Sequence, residues 1–252
     1  MLTDKQYIEI FHLIFLRSLK NNLDSSLYSI KGGCNLRFFF ESIRYSEDID
    51  LDISVISKET LKRKIDNLLT GTPLRQGLSH FGLEIDQVSS PKQTLTVQRW
   101  KVAIKAKNRV MAIPTKIEFS RRSLDEDRKA EPIANFILQE YQMPPMILPH
   151  YLLVAAVKQK INALVFRTQT QARDIFDLHL LFSRKIEKAF TFAFDLEKAI
   201  DSVESILFND YSSQVVSYLI PEYIDHYRNP SLWEEMKVFV VDNLMKHHHE
   251  VD

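Results

Sequence analysis

Between Ser46 and Ile53 the chain reads Ser-Glu-Asp-Ile-Asp-Leu-Asp-Ile, and a two-residue repeat of this kind fits a half-buried β-strand. Such a strand puts Ser46, Asp48, Asp50 and Asp52 on one face and Ile49, Leu51 and Ile53 on the other. Successive acids on one face then lie about 6.5–7 Å apart. Carboxylates so placed beside a packed sheet repel and raise one another's pKa unless cations occupy the space between them. Magnesium suits hard oxygen ligands and keeps waters that a phosphate can replace. The alternative is a solvent-facing strand whose acids only add solubility.

Only five glycines occur in 252 residues, and two of them, Gly32 and Gly33, are adjacent. They follow a short apolar stretch, Leu27 to Ile30, that is long enough only for a strand. They precede Asn35 to Ile43, which reads as a helix with Leu36, Phe39, Phe40 and Ile43 inward and leads back to the acidic strand. Glycine lets backbone approach a ligand, and the first free N–H groups of a helix suit a phosphate. A plain tight turn is the competing reading. A further acid stands in Thr115 to Ser120, where alternation sets Lys116, Glu118 and Ser120 opposite Ile117 and Phe119. Glu118 is therefore a candidate third metal ligand from a neighbouring strand, although Lys beside Glu is also what an ordinary solvated sheet surface carries.

Around these segments the pattern predicts a helix over Asp4 to Lys20, with Tyr7, Ile8, Phe11, Ile14 and Phe15 at helical spacing. Another runs from Ser57, as N-cap, to Leu69 and ends at Gly71-Thr72-Pro73. Strand-like runs follow at Phe81 to Val88, Thr94 to Lys107 and Arg109 to Ser120. Arg121 to Glu131 is a charged loop without strand periodicity. Beyond it Pro144-Pro145 and Pro149 lead into helices near His150 to Phe166, Gln171 to Ser183, Asp195 to Phe208 and Ser231 to Lys246. The expected fold class is α+β: a mixed sheet with flanking helices over residues 1–125 and a helical half over residues 126–252.

Composition sets the outer bounds. With 45% apolar and 26% charged residues the chain has material for a sizeable core, and disorder is excluded. Lysine plus arginine and aspartate plus glutamate each total 33, so a polyanion must be met by a local patch and not by a protein-wide field. One cysteine cannot form an internal disulfide, the start of the chain lacks a signal-peptide pattern, and no apolar run approaches a bilayer span. A cytoplasmic protein without a membrane partner is the expectation.

Lys160 and Arg167 lie two helical turns apart, share a face and can both reach an anion. Asp174 and Asp177 share a face of the next helix, with Arg173 placed to pair with Asp177 at i,i+4; ion pairs tying two helices together are the structural alternative. On Arg99 to Arg109, the cations Arg99, Lys101, Lys105, Lys107 and Arg109 face one way and Trp100, Val102, Ile104 and Ala106 the other. Such a row can follow a phosphate backbone or guard an edge strand against aggregation, and zero net charge favours the guard. Arg121, Arg122, Arg128 and Lys129 form a second basic patch. His247, His248 and His249 read as incidental residues of a short mobile tail, Cys34 as a packing residue with no histidine near it in sequence, and Phe38 to Phe40 as core.

Two stretches together, Lys31-Gly32-Gly33-Cys34-Asn35-Leu36-Arg37 and Arg44-Tyr45-Ser46-Glu47-Asp48-Ile49-Asp50-Leu51, resemble the first motif of the AbiEii/AbiGii toxin-like nucleotidyltransferases. Lys160-Ile161-Asn162-Ala163-Leu164, Arg167 and Arg173-Asp174-Ile175-Phe176-Asp177-Leu178 resemble that family's later lysine-helix and Arg-Asp-x-x-Asp-Leu motif, and Lys116-Ile117-Glu118 lies where the family has a lysine or acid strand. The resemblance implies a polymerase-β-type fold and transfer of a nucleotide from an NTP to an acceptor with release of pyrophosphate. Several relatives are toxins of two-gene toxin–antitoxin or phage-defence systems, and some act on the acceptor end of tRNA; a cognate antitoxin and tRNA are the implied partners. On that analogy Ser46, Asp48 and Asp50 hold metal and triphosphate, with Asp50 bridging two magnesium ions, Lys160 meets triphosphate oxygens, and Asp174 serves near the reacting hydroxyl. The position after the glycine pair is usually Ser or Thr; here it is Cys34, a weaker donor. Transfer to a small-molecule or protein hydroxyl, and a non-catalytic nucleotide- or antitoxin-binding module, are the rival readings.

Overall fold

The computed structural model describes residues 2–107, 109–185 and 190–249. The chain opens with helix α1 (Asp4–Asn22), started by a capping box in which Thr3 and Gln6 satisfy each other's backbone N–H groups. Strand β1 (Tyr28–Lys31), helix α2 (Gly32–Phe39), strand β2 (Ile49–Ile53) and helix α3 (Lys58–Thr70) follow. Helix α4 (Thr72–His80) comes directly after α3, because Pro73, which ends one helix, also fits the first turn of the next. Strands β3 (Leu83–Gln93), β4 (Val97–Ala106), β5 (Ile113–Arg121) and β6 (Arg128–Pro132), helix α5 (Asn135–Glu140) and strand β7 (Ile147–Tyr151) complete the N-terminal part.

Among the described residues these strands form one seven-stranded sheet in the order β3-β4-β5-β2-β1-β7-β6. Pairing is parallel between β2 and β5 and between β1 and β7, and antiparallel elsewhere. The apolar residues of alternate positions, among them Ile30, Ile49, Leu51, Ile104, Ile117 and Phe119, fill one face and join Phe11 and Phe15 of α1 and Leu61 and Ile65 of α3 in a single core.

The chain groups into two compact units, Met1–Glu41 with Tyr45–Tyr151, and Ser42–Arg44 with Leu152–Asp252. The division therefore falls after β7, not at 125/126 as the charged loop suggested. Arg128–Pro132, read from sequence as part of that loop, is a strand whose register with β7 runs from Arg128 opposite Tyr151 to Pro132 opposite Ile147. It borders the sheet, so neither face needs a run of apolar residues and the period-two signal is missing. Pro149 stands within β7 and does not open the following helix.

The second unit contains α6 (Leu153–Phe166), α7 (Ala172–Phe182), α8 (Leu196–Glu204), α9 (Phe208–Gln214), α10 (Ile224–Tyr227) and α11 (Pro230–His247). Tyr211 and Trp233, both fully buried, stack at 4.3 Å between ring centroids. The C-terminal histidines are not a loose tail: α11 includes His247, whose ring stacks on Phe182 and Phe190 and whose Nδ1 lies 2.8 Å from Phe190 O. Among the described residues no helix is long and apolar enough to cross a membrane.

Candidate active site

Helix α2 begins at Gly32, which takes φ +64°, and a Cβ there would stand 2.8 Å from Asp50 Oδ2. Two physical demands meet at this residue: a left-handed backbone and an open space that the Asp50 carboxylate fills. Gly32→Ala is accordingly expected to cost about 1–2 kcal/mol in backbone strain, and to force the Asp50 carboxylate to turn away. Chemical denaturation should show the modest stability loss.

Strand register lays charged residues in rows across the polar face of the sheet. One row runs Lys92 on β3, Arg99 on β4, Glu118 on β5, Asp50 on β2 and Lys31 on β1. The next brings Ser89, Lys101 and Lys116 together, and Asp48 precedes β2 at the end of that row. Each acid has a cationic neighbour or a close backbone. Lys116 Nζ reaches Asp48 Oδ2 at 2.7 Å, and Arg99 Nε reaches Glu118 Oε2 at 2.6 Å. Asp52, which shares the strand face with Asp50, is buried and fully engaged: Lys31 Nζ at 2.5 Å and Arg122 Nε at 3.2 Å meet Oδ1, and the Tyr151 hydroxyl donates to Oδ2 at 2.9 Å. Burial and the Asp52 carboxylate both push the Tyr151 phenol up. Asp52 is therefore a structural anion, while Asp48 and Asp50 remain toward the open side of the strand. Ser46 lies just before them and donates its hydroxyl to Asp48 O at 2.9 Å.

Among the described residues no group of three or more His, Cys, Asp or Glu side chains is disposed to hold a metal ion unaided. Asp48 and Asp50 nevertheless suit magnesium, which takes one or two carboxylates and fills the rest of its octahedron with water and phosphate oxygens. The missing Cβ at Gly32 lets the Asp50 carboxylate lie against the start of α2, which fits that use. Glu118 is the register neighbour of Asp50, as the sequence predicts, but its carboxylate is committed to Arg99.

In the second unit Lys160 on α6 bonds both acids of α7, with Nζ 2.9 Å from Asp174 Oδ1 and 2.6 Å from Asp177 Oδ2. Arg167 Nη1 takes the other oxygen of Asp174 at 2.5 Å, and Arg44 holds Asp177 through Nε and Nη2 at 3.0–3.3 Å. Burial by itself would raise the Asp177 pKa, but Arg44 and Lys160 beside it hold it below the usual carboxylate value. Both carboxylates are fully buried, whereas the Arg167 side chain is 37% exposed. Three cations against two carboxylates leave surplus positive charge that surfaces through Arg167 and the edge of Lys160.

The basic face of β4 changes meaning in the structure. β4 lies between β3 and β5, so its cations do not guard an edge; β3 is the edge, and Pro91, Lys92 and two register irregularities protect it. Lys107 and Arg109 fall beyond β4, and Arg109 pairs with Asp4 at 3.0 Å. Sequence reasoning did not find His12 and Thr115, which approach the Ser46–Asp48 segment from the buried side, because no local spacing links residues that far apart. Cys34 does have a histidine near it, His12 Nδ1 at 3.5 Å, and its thiol faces inward.

In fold the chain is similar to JHP933 from Helicobacter pylori, with a TM-score of 0.61 and 20% identity over 98% of this chain and 95% of that one. A second H. pylori structure, described as a nucleotidyltransferase, gives a TM-score of 0.62 at 20% identity, covering 99% of this chain and all of the other. No curated protein matches the sequence. Residues 14–213 match the family described as nucleotidyl transferase AbiEii toxin, type IV toxin–antitoxin system, a span that takes in the glycine pair, the acidic strand and the Lys160–Asp177 cluster. The chain thus belongs to the AbiEii family and is a nucleotidyltransferase toxin of a type IV toxin–antitoxin system.

Proposed function

We propose that this toxin moves a nucleotide from an NTP to the acceptor end of a tRNA, using magnesium held by Asp48 and Asp50. The observation that carries the reading is Gly32, whose missing Cβ leaves the Asp50 carboxylate against the start of α2. Magnesium there would offset phosphate charge and make an acceptor hydroxyl easier to deprotonate. Asp48 and Asp50 supply the anionic ligands, Gly32 and Gly33 supply backbone N–H groups for phosphate oxygens, and Ser46 orders the turn between them. Within the second unit, Lys160 and Arg167 carry surplus positive charge that suits an anion. Asp174, with both oxygens bonded to cations and no exposure, acts in this reading by holding Lys160 and Arg167, not by meeting the hydroxyl. Glu118 likewise orients Arg99 instead of completing a metal shell.

An RNA acceptor is supported by the rows on the polar face. Lys92 stands directly opposite Arg99, and Lys101 opposite Lys116. Glu118 already offsets Arg99 and Asp48 offsets Lys116, and Lys92 and Lys101 add positive charge to these rows that a phosphate backbone can meet. Incubation with each labelled NTP, magnesium and total RNA tests the proposal: label should enter the tRNA pool, and label in protein or small molecules would redirect it. Lys101→Glu with Lys105→Glu should weaken tRNA binding and flatten its dependence on salt, by about one unit of log–log slope for each phosphate that is no longer neutralised. The partner implied by the family is a cognate antitoxin.

A further inference from the structure

The carbonyl groups of Glu47 and Asp48 precede the sheet ladder, since pairing of β2 with β5 begins at Ile49 opposite Ile117. Side chains satisfy them instead: Ser46 donates to Asp48 O at 2.9 Å, and groups of the buried face add further bonds. Continuing the register two residues back sets Thr115 opposite Glu47, and the Thr115 hydroxyl donates to Glu47 O at 2.7 Å. That hydroxyl has one proton to give, so in its 3.0 Å contact with His12 Nε2 its oxygen accepts, and His12 carries its proton on Nε2. His12 Nδ1 is then an acceptor and faces Cys34 Sγ at 3.5 Å, while the Cys34 thiol also reaches Asp48 O at 3.3 Å. Burial keeps both groups uncharged: it pulls the His12 pKa down to about 3 and pushes the Cys34 thiol up. All three side chains are buried beneath the acidic segment.

We infer that His12, Thr115 and Cys34 are positioning residues, which fix the peptide units on both sides of Asp48 and so aim the Asp48 and Asp50 carboxylates. This rests on the reading of that pair as the metal-holding group. The physical need is clear from the register: Asp48 lies before the first ladder residue, so backbone pairing does not hold it. A carboxylate displaced by about 1 Å loses about a hundredfold in rate, and groups that orient metal ligands contribute about 10–100-fold to metal affinity or activity. Cys34, at the position where the family usually has a hydroxyl, gives its proton inward to the backbone of the acidic segment or to His12.

The test compares Thr115→Val, which keeps the shape and removes the hydroxyl, with Thr115→Ser, which keeps the hydroxyl. Manganese binding by electron paramagnetic resonance and amide hydrogen exchange of the peptide covering residues 44–50 are measured on the intact protein. Thr115→Val should weaken manganese binding about tenfold and speed exchange in that peptide, and Thr115→Ser should behave as wild type. Wild-type behaviour of Thr115→Val, or equal impairment by Thr115→Ser, overturns the inference. If Thr115→Val does not fold, Cys34→Ala against Cys34→Ser decides on the same criteria, the serine being the stronger donor. Failure of the wild-type protein to bind manganese would overturn the metal reading, and the exchange comparison would still decide whether the three residues position the segment.

Discussion

Asp48→Asn and Asp50→Asn are each expected to reduce nucleotide transfer about a thousandfold or more while the protein stays folded. A ligand that places a metal against a reacting phosphate contributes several kcal/mol of transition-state stabilisation, and about 1.4 kcal/mol is a factor of ten. The fold has little stake in the Asp48 charge. The Lys116–Asp48 pair is partly exposed, with side-chain exposures of 46% and 22%, so it is worth at most about 1 kcal/mol. At Asp50, loss of charge relieves repulsion with Glu118 on one side of the ladder and gives up attraction to Lys31 on the other, so the two effects oppose. A transfer assay over a magnesium series, beside a thermal melt, checks both halves, and full magnesium-dependent activity in either variant would remove these residues from the site.

The second large effect concerns the buried support of α2. Arg37 donates to Glu9 through Nε at 2.7 Å and Nη2 at 3.2 Å, and the Tyr141 hydroxyl donates to Glu9 at 2.8 Å, all away from solvent. The Arg37 guanidinium also lies over the Tyr45 ring at 4.9 Å. Glu9→Ala removes the carboxylate that this buried guanidinium pairs with, and breaking a buried ion pair from one side costs about 3–5 kcal/mol. Against a usual total of about 5–15 kcal/mol this is a large fraction of the stability. Replacing both partners, Glu9→Leu with Arg37→Met, should recover most of the loss, because two apolar groups carry no desolvation penalty. Urea midpoints of the two variants measure the difference, and a loss below about 1 kcal/mol in Glu9→Ala would mean that the guanidinium finds other partners.

Much of this site is legible in the chain itself. Alternation around Asp50 gives the strand and the face its carboxylate occupies, and the adjacent glycines mark the start of α2. The helical spacing of Lys160, Arg167, Asp174 and Asp177 predicts a cluster, and the structure makes it an interlocked one. Other features depend on partners that local pattern does not reveal. The cations of β4 look like an edge guard until the sheet order puts β3 outside them. Asp52 looks equivalent to Asp50 until Lys31, Arg122 and Tyr151 close over it. Arg128–Pro132 looks like a loop because a border strand needs no apolar face, and only its pairing with β7 reveals it.

The sequence by itself determined which residues are chemically able to act and which way each points along its own helix or strand, because both follow from repeats of two or 3.6 residues within a few positions. Tertiary structure alone decided which acids are neutralised, which stay toward the open side of the strand, and that His12, Thr115 and Cys34 lie beneath Asp48. The reason is register: one pairing choice between β2 and β5 sets Glu47 against Thr115, Asp48 against Lys116 and Asp50 against Glu118 at once, and that choice is fixed by burial of the whole apolar face.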